Sequence, residues 1–91
     1  MTTSFTQRVL ETVRHIPRGQ TLSYGEVARL AGSAGAARKV GSIMKNNFDP
    51  AVPCHRVVRS DRHVGAYNRG AQEKIRKLTF EGVAIKDGRV L

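Results

Sequence analysis

The chain has no tryptophan and only one cysteine among its 91 residues. A single cysteine excludes an internal disulfide framework and any cysteine-rich zinc site, so no metal centre is expected. No apolar run approaches the roughly 18 residues that span a bilayer, so no membrane partner is expected. The opening residues Met1 to Phe5 lack a charged stretch followed by an apolar one, and no secretory leader is read there. The expected location is intracellular, in the cytoplasm. Aromatics are few, three Phe and two Tyr, so the core is mostly aliphatic. Acidic residues are also scarce. Seven Asp+Glu face sixteen Lys+Arg, for a formal net charge of +9.

Apolar residues make up 40% of the chain and charged residues 25%, a globular balance that excludes disorder. The length allows one small domain over residues 1–91, with a radius of gyration of roughly 12 Å. The basic excess points to a polyanionic partner, with solubility alone as the plainer account. It is also uneven. Between Arg38 and Lys77 there are ten basic and three acidic residues, so that stretch carries +7 of the +9.

The first helix is well signalled. Ser4-Phe5-Thr6-Gln7 reads as a capping box, and Phe5, Val9, Leu10, Val13 and Ile16 recur at helical spacing until Pro17 and Gly19 stop them. A second box, Ser23-Tyr24-Gly25-Glu26, opens a short helix with Val27, Leu30 and Ala31, ending at Gly32. Ser33 is expected to cap a third helix carrying Ala37, Val40, Ile43 and Met44. Two helices joined by Gly32-Ser33-Ala34-Gly35 fit a helix-turn-helix, whose second helix would present Arg38, Lys39 and Lys45. An ordinary helical hairpin has the same pattern without the charge.

Asn46 to Gly70 is irregular, with turns at Asp61 and Gly65. A last helix runs from Ala71 to Phe80, with Ile75, Leu78 and Thr79 facing inward and Gly82 beyond it. The tail from Val83 to Leu91 alternates around Asp87-Gly88, a strong hairpin signal. The expected fold is mainly α: a winged-helix-like helix-turn-helix domain with a small C-terminal β-hairpin wing.

Cys54 lies between Pro53 and His55. A thiol reacts as the thiolate, and an adjacent imidazole can take its proton directly or through one water. Arg56, Arg59 and Arg62 would favour the thiolate. A lone cysteine beside valines is equally a small buried hydrophobe, and a Cys-His dipeptide does not decide between the two.

The longer string does. Pro53-Cys54-His55-Arg56-Val57-Val58 resembles the active-site motif of the O6-alkylguanine-DNA alkyltransferases. Five further stretches match that family's C-terminal domain in order and spacing. They are Thr21 to Ala28, Ala36 to Gly41, Met44 to Asn47, Val64 to Tyr67, and Glu81-Gly82. The resemblance implies repair of O6-alkylguanine in double-stranded DNA by irreversible transfer of the alkyl group to Cys54. His55 would deprotonate Cys54 through a water, and Glu81 would hold His55 in place. The relay through water follows from an extended strand, on which adjacent side chains point apart. Glu81 alone would otherwise read as a surface carboxylate at a helix end.

Further roles come with the same resemblance. Arg38 would enter the duplex through the minor groove and fill the gap left by the extruded base. Tyr24 would crowd a phosphate and donate a proton to the leaving guanine, although a tyrosine beside an N-cap also packs on a core. Ser23, Lys39 and Lys45 would contact DNA. Pro53, Val57, Tyr67, Asn68 and Arg69 would line the substrate pocket, with carbonyls of Cys54 and Val57 accepting from the guanine amine. The family's hinge asparagine is ambiguous: counting back from Cys54 selects Asn46, and counting forward from Met44 selects Asn47. The end of the helix sets the hinge, which favours Asn47. A monomer without cofactor is implied.

Two departures stand out. The N-terminal domain that many members carry is expected to be absent. Asn68-Arg69 replaces the small residues usual in the loop over the alkyl group, so Arg69 would restrict the pocket or reach a phosphate. Two other readings compete. One is an alkyltransferase-like lesion sensor that lacks the cysteine and recruits nucleotide-excision repair proteins; size and charge suit it and Cys54 opposes it. The other is a winged-helix regulator with a redox-sensing thiol, which has no resolving cysteine here.

Overall fold

A computed structural model describes residues 3–91. The chain starts with helix α1 (Phe5–Arg14), opened by the capping box at Ser4 and Gln7. It ends two residues before the expected stop. The residue before a proline disfavours helical backbone, and the last N–H groups, at His15 and Ile16, bond back three residues to Thr12 and Val13. Ile16 is still buried, but in the chain beyond the helix.

Strand β1 (Leu22–Ser23) leads directly into α2 (Tyr24–Leu30), whose second capping box forms as expected between Ser23 and Glu26. Val27, Ala28 and Ala31 face the core, whereas Leu30 is exposed rather than inward. The third helix, α3 (Ala37–Lys45), corrects the expected boundary. Ser33 does not cap it. Its N–H returns to the Ala28 carbonyl at 2.9 Å while Gly32 bonds to Arg29, so Ser33 is used in closing α2. The turn Ser33–Ala36 then separates the two helices, and α3 follows with Ala36 at its N-cap and no side-chain cap.

After α3, a 3₁₀ turn η1 (Cys54–Arg56) runs into strand β2 (Val57–Val58). The turn replaces the extended strand assumed in reading Cys54-His55. β2 pairs in parallel with β1, Leu22 beside Val57 and Ser23 beside Val58. Helix α4 (Ala71–Phe80) has the expected bounds, but Thr79 is exposed and Lys74 takes the inward position beside Leu78. Strands β3 (Ile85–Lys86) and β4 (Arg89–Val90) form the expected wing. Its turn has positive φ at both Asp87 (53°) and Gly88 (76°), the type I′ geometry that suits a twisted hairpin. His63 bridges to Arg89, tying the wing to the segment after β2.

Two apolar clusters result. The larger joins α1, α2 and α3 with Val52, Cys54 and Val57; the smaller joins Val58, Val64, Leu78, Val83 and Val90 under the wing. Cys54 sits at the rim of the larger cluster, and the chain passes between clusters at Val57-Val58. The Cα radius of gyration is 12.3 Å. Among the described residues no helix is long and apolar enough to cross a membrane.

Candidate active site and nucleic-acid interface

An open cleft of about 1160 Å³ lies between α3 and the segment preceding α4. It brings together Tyr24, Arg38, Lys45, Cys54, Tyr67 and Asn68, residues from four separate stretches. Tyr24 is the first residue of α2, placed there by the β1–α2 junction. Burial, followed by a smaller effect of Cys54, raises the Tyr24 pKa, so the phenol keeps its proton at neutral pH. Gly65 has φ +76°, and a Cβ there would lie 3.2 Å from Arg59 Cγ and 3.7 Å from the Tyr24 hydroxyl. A side chain at 65 would therefore strain the backbone and crowd this wall of the cleft.

Behind Cys54 is a buried charge network. His55 Nε2 lies 3.0 Å from Glu81 Oε2. Arg56 grips the same carboxylate with Nε at 2.9 Å and Nη2 at 2.8 Å, and its Nη1 donates to the Ile16 carbonyl at 2.8 Å. Glu81 is thus no surface carboxylate; its side chain is only 9% exposed. The Arg56 hydrogen bonds, with His55 adding to them, pull its pKa down to about 2. An ionised carboxylate only accepts, so His55 Nε2 is the donor and Nδ1 is left as the basic nitrogen. Burial outweighs the opposing pull of Glu81 and lowers the His55 pKa, which keeps the ring neutral at physiological pH. Arg56, expected to favour the thiolate, is committed to Glu81 instead. Arg59 lines the cleft and pairs with Asp61 at 3.5 Å, while Arg62 is exposed at the turn.

A second cavity of about 80 Å³ touches both Cys54 and His55, with Pro53, Lys77 and Phe48 among its walls. Val57 is fully buried and its carbonyl points at Lys74, whose Nζ lies 2.6 Å away. Lys74 is the residue the sequence reading passed over. It is 1% exposed, also reaches the Ala66 carbonyl at 3.3 Å, and sits 5.8 Å from the Tyr24 ring centroid. Burial lowers its pKa to about 8. Its place one turn before Leu78 on an otherwise apolar face was the available signal.

Other expected site residues are placed differently. Ser23 accepts from Glu26 N–H as the α2 cap. Lys39 turns to the Phe5 ring, 5.5 Å from its centroid, away from the cleft. Arg69 lies over Phe48 and reaches its carbonyl at 3.5 Å, so it does not fill the larger cleft. Asn46 closes α3 by donating to the Ser42 carbonyl at 2.9 Å. Asn47 reaches forward, with Nδ2 3.5 Å from the Val52 carbonyl and Oδ1 accepting from Asp49 N–H. Asn68 donates back to the end of α3.

A two-helix unit with a cationic second helix, a small wing and a cysteine set into the cleft define a helix-turn-helix DNA-binding domain with a cysteine in the wall of its cleft. Comparison with known proteins agrees. Residues 4–83 match the model of the 6-O-methylguanine DNA methyltransferase DNA-binding domain. The chain is 46% identical over 85 residues to the methylated-DNA–protein-cysteine methyltransferase of Methanothermobacter thermautotrophicus, covering 92% of this chain and 47% of the relative. The Mus musculus protein of the same name is 46% identical over 83 residues, covering 88% and 39%. Among solved structures, Mycobacterium tuberculosis OGT in complex with DNA superposes with a TM-score of 0.83 at 40% identity, covering 90% of this chain and 51% of that one. Schizosaccharomyces pombe Atl1, in complex with damaged DNA containing O6-carboxymethylguanine, gives 0.84 at 36% identity, covering 94% and 83%. The chain belongs to the 6-O-methylguanine DNA methyltransferase family. It spans about half the length of the first of these curated relatives, and less of the second.

Proposed function

We propose that this protein repairs O6-alkylguanine in double-stranded DNA by extruding the base and moving its alkyl group irreversibly onto Cys54. The observation that carries this reading is the Cys54-His55-Arg56 turn seated on the Glu81 carboxylate at the wall of a cationic cleft. The thiol proton passes through one water to His55 Nδ1, and the smaller cavity beside both residues has room for that water. The alkyl carbon then leaves guanine O6 as it bonds to Sγ, and the departing guanine takes a proton from the Tyr24 hydroxyl. The carbon–oxygen bond broken equals the carbon–sulfur bond formed, so the step as written uses no metal or cofactor. Glu81 supports the imidazolium that forms, and Arg56 keeps Glu81 ionised and in place.

Arg38 fills the stack after extrusion, and Lys45 contacts phosphate; Lys39 on Phe5 and Ser23 at the α2 cap lie outside this cleft. Tyr67 and the Asn68 peptide form the base pocket, with Pro53 and Arg69 on the smaller cavity beside it, while Val57, fully buried with its carbonyl on Lys74, supports it from behind. Asn47 is the hinge: it is the asparagine that reaches the carbonyl of Val52 in the active-site segment, while Asn46 only closes its own helix. Residues 1–91 act as one DNA-binding and active-site domain, as a monomer, in the cytoplasm and on the nucleoid when bound.

The likeness to Atl1 favours a second reading, in which the pocket holds the extruded base and nucleotide-excision repair proteins finish the work. Cys54 with its buried network supports transfer instead. Incubation with duplex containing O6-methylguanine should raise the intact mass by one methyl group, on the peptide containing Cys54, once per molecule. Tight lesion binding with unchanged mass would establish the sensor reading, and repeated turnover would refute irreversible transfer.

A further inference from the structure

We propose that Asn68 is a positioning residue that latches the base pocket to the DNA-entering helix. The inference rests on the repair function above and extends it to how the two halves of the site are kept in register.

The segment between β2 and α4 supplies Tyr67 and the Asn68 peptide to the pocket. It is fastened from inside by Lys74 on the Ala66 carbonyl. A separate fastening runs outward from the Asn68 side chain. Its Nδ2 lies 2.6 Å from the Asn47 carbonyl, 3.3 Å from that of Lys45 and 3.4 Å from that of Met44. The last turn of a helix leaves carbonyls without intrahelical partners, and a carboxamide has two N–H donors to share among them. Asn68 thus closes the C-terminal end of α3 from an element 21 to 24 residues further along the chain. Its own Oδ1 is buried with no partner among the described residues. Buried polar atoms are nearly always satisfied, so the three carbonyls, not the amide's local preference, decide how the group is turned.

α3 carries Arg38 at its start and ends under Asn68. The pocket loop carries Tyr67. An extruded base must pass from the stack at Arg38 to the pocket at Tyr67, and the latch holds that span constant. A free alkylated base needs only the pocket, which Lys74 secures independently. The latch therefore acts on duplex repair above all.

The test compares single-turnover alkylation of Cys54 by an O6-methylguanine duplex and by free O6-methylguanine. Asn68→Asp is isosteric but presents an acceptor to three carbonyls. It should lower the duplex rate at least tenfold more than the free-base rate. Asn68→Ser, too short to reach α3, should show a smaller split of the same sign and carries the test should the Asp variant fail to fold. Asn68→Gln, which keeps the donors, should recover part of the difference. In an Arg38→Ala background, Asn68→Asp should widen the split no further, because both act on the same hand-over. Equal losses on both substrates in the Asp and Ser variants, or full additivity with Arg38→Ala, would overturn the latch. A parent protein that alkylates Cys54 from neither substrate would instead refute the repair function on which the latch depends.

Discussion

The two sides of Cys54 handle charge in opposite ways. Behind it, His55, Arg56, Glu81 and Lys74 are buried or nearly so, and each has hydrogen-bond partners within 3.3 Å. In front, Arg38 and Lys45 line the cleft and form no ion pair with a described residue. Surface cations without partners contribute little to folding. A buried carboxylate with a bidentate arginine is costly to break from one side only. The rear charges therefore hold a geometry, whereas the front charges are left open to solvent.

Breaking the rear network should have the largest effect. His55→Ala or Glu81→Gln should slow transfer by roughly 10²–10⁴-fold, the usual contribution of general-base assistance, while largely sparing DNA affinity. The pH profile sharpens this. Because burial lowers the His55 pKa, the ring stays neutral below its ordinary value of 6.5, and the acid limb of the transfer rate should lie below that pH. Glu81 opposes the lowering, so its loss should move the limb further toward acid. Glu81 itself titrates near pH 2 in the fold, and its contribution to stability should be lost as pH falls from about 4.5 to about 2. A limb that moves upward in Glu81→Gln would show that the carboxylate does not act on His55.

Breaking the front should separate two substrates instead. Arg38→Ala should lower repair of duplex lesions tenfold or more beyond any loss on free alkylated base, since only the duplex requires extrusion. Equal losses would make Arg38 a support of the pocket or the fold.

Lys74 tests whether a rear charge can be removed without harm to stability. Lys74→Met keeps the length and packing of the side chain and removes a buried ammonium that has no carboxylate partner among the described residues. Transfer should slow several-fold as the Val57 and Ala66 carbonyls lose their common tie, while the melting temperature should hold or rise. A lowered melting temperature with unchanged transfer would make Lys74 a fold residue only. The smallest effect belongs to Lys45→Ala: the slope of log affinity against log salt should flatten by about 0.9, the amount for one phosphate contact.

Local signals carried much of the fold. Both capping boxes form where Ser4-Gln7 and Ser23-Glu26 place them, α4 has its expected ends, and Asp87-Gly88 turns the wing. Failures came where a local signal had a competing use. Ser33 reads as a cap but serves the end of α2, and Thr79 yields the inward position to Lys74. The site was legible as a motif and not as an arrangement. Arg56 stands in the motif, yet its partners are Glu81, 25 residues on, and Ile16, 40 residues back. No spacing rule reaches that far. The pairing of Leu22 with Val57 is equally silent, because two-residue strands have no alternation to display.

That distance has a kinetic side. The cysteine turn is held by contacts that join residue 16 to 56 and 55 to 81, and α1 packs on α3 across a comparable span. Folding slows as such distant contacts gain weight, because loop-closure entropy is spent before they form. No local segment can therefore assemble the relay: imidazole and carboxylate meet only as the chain between them closes.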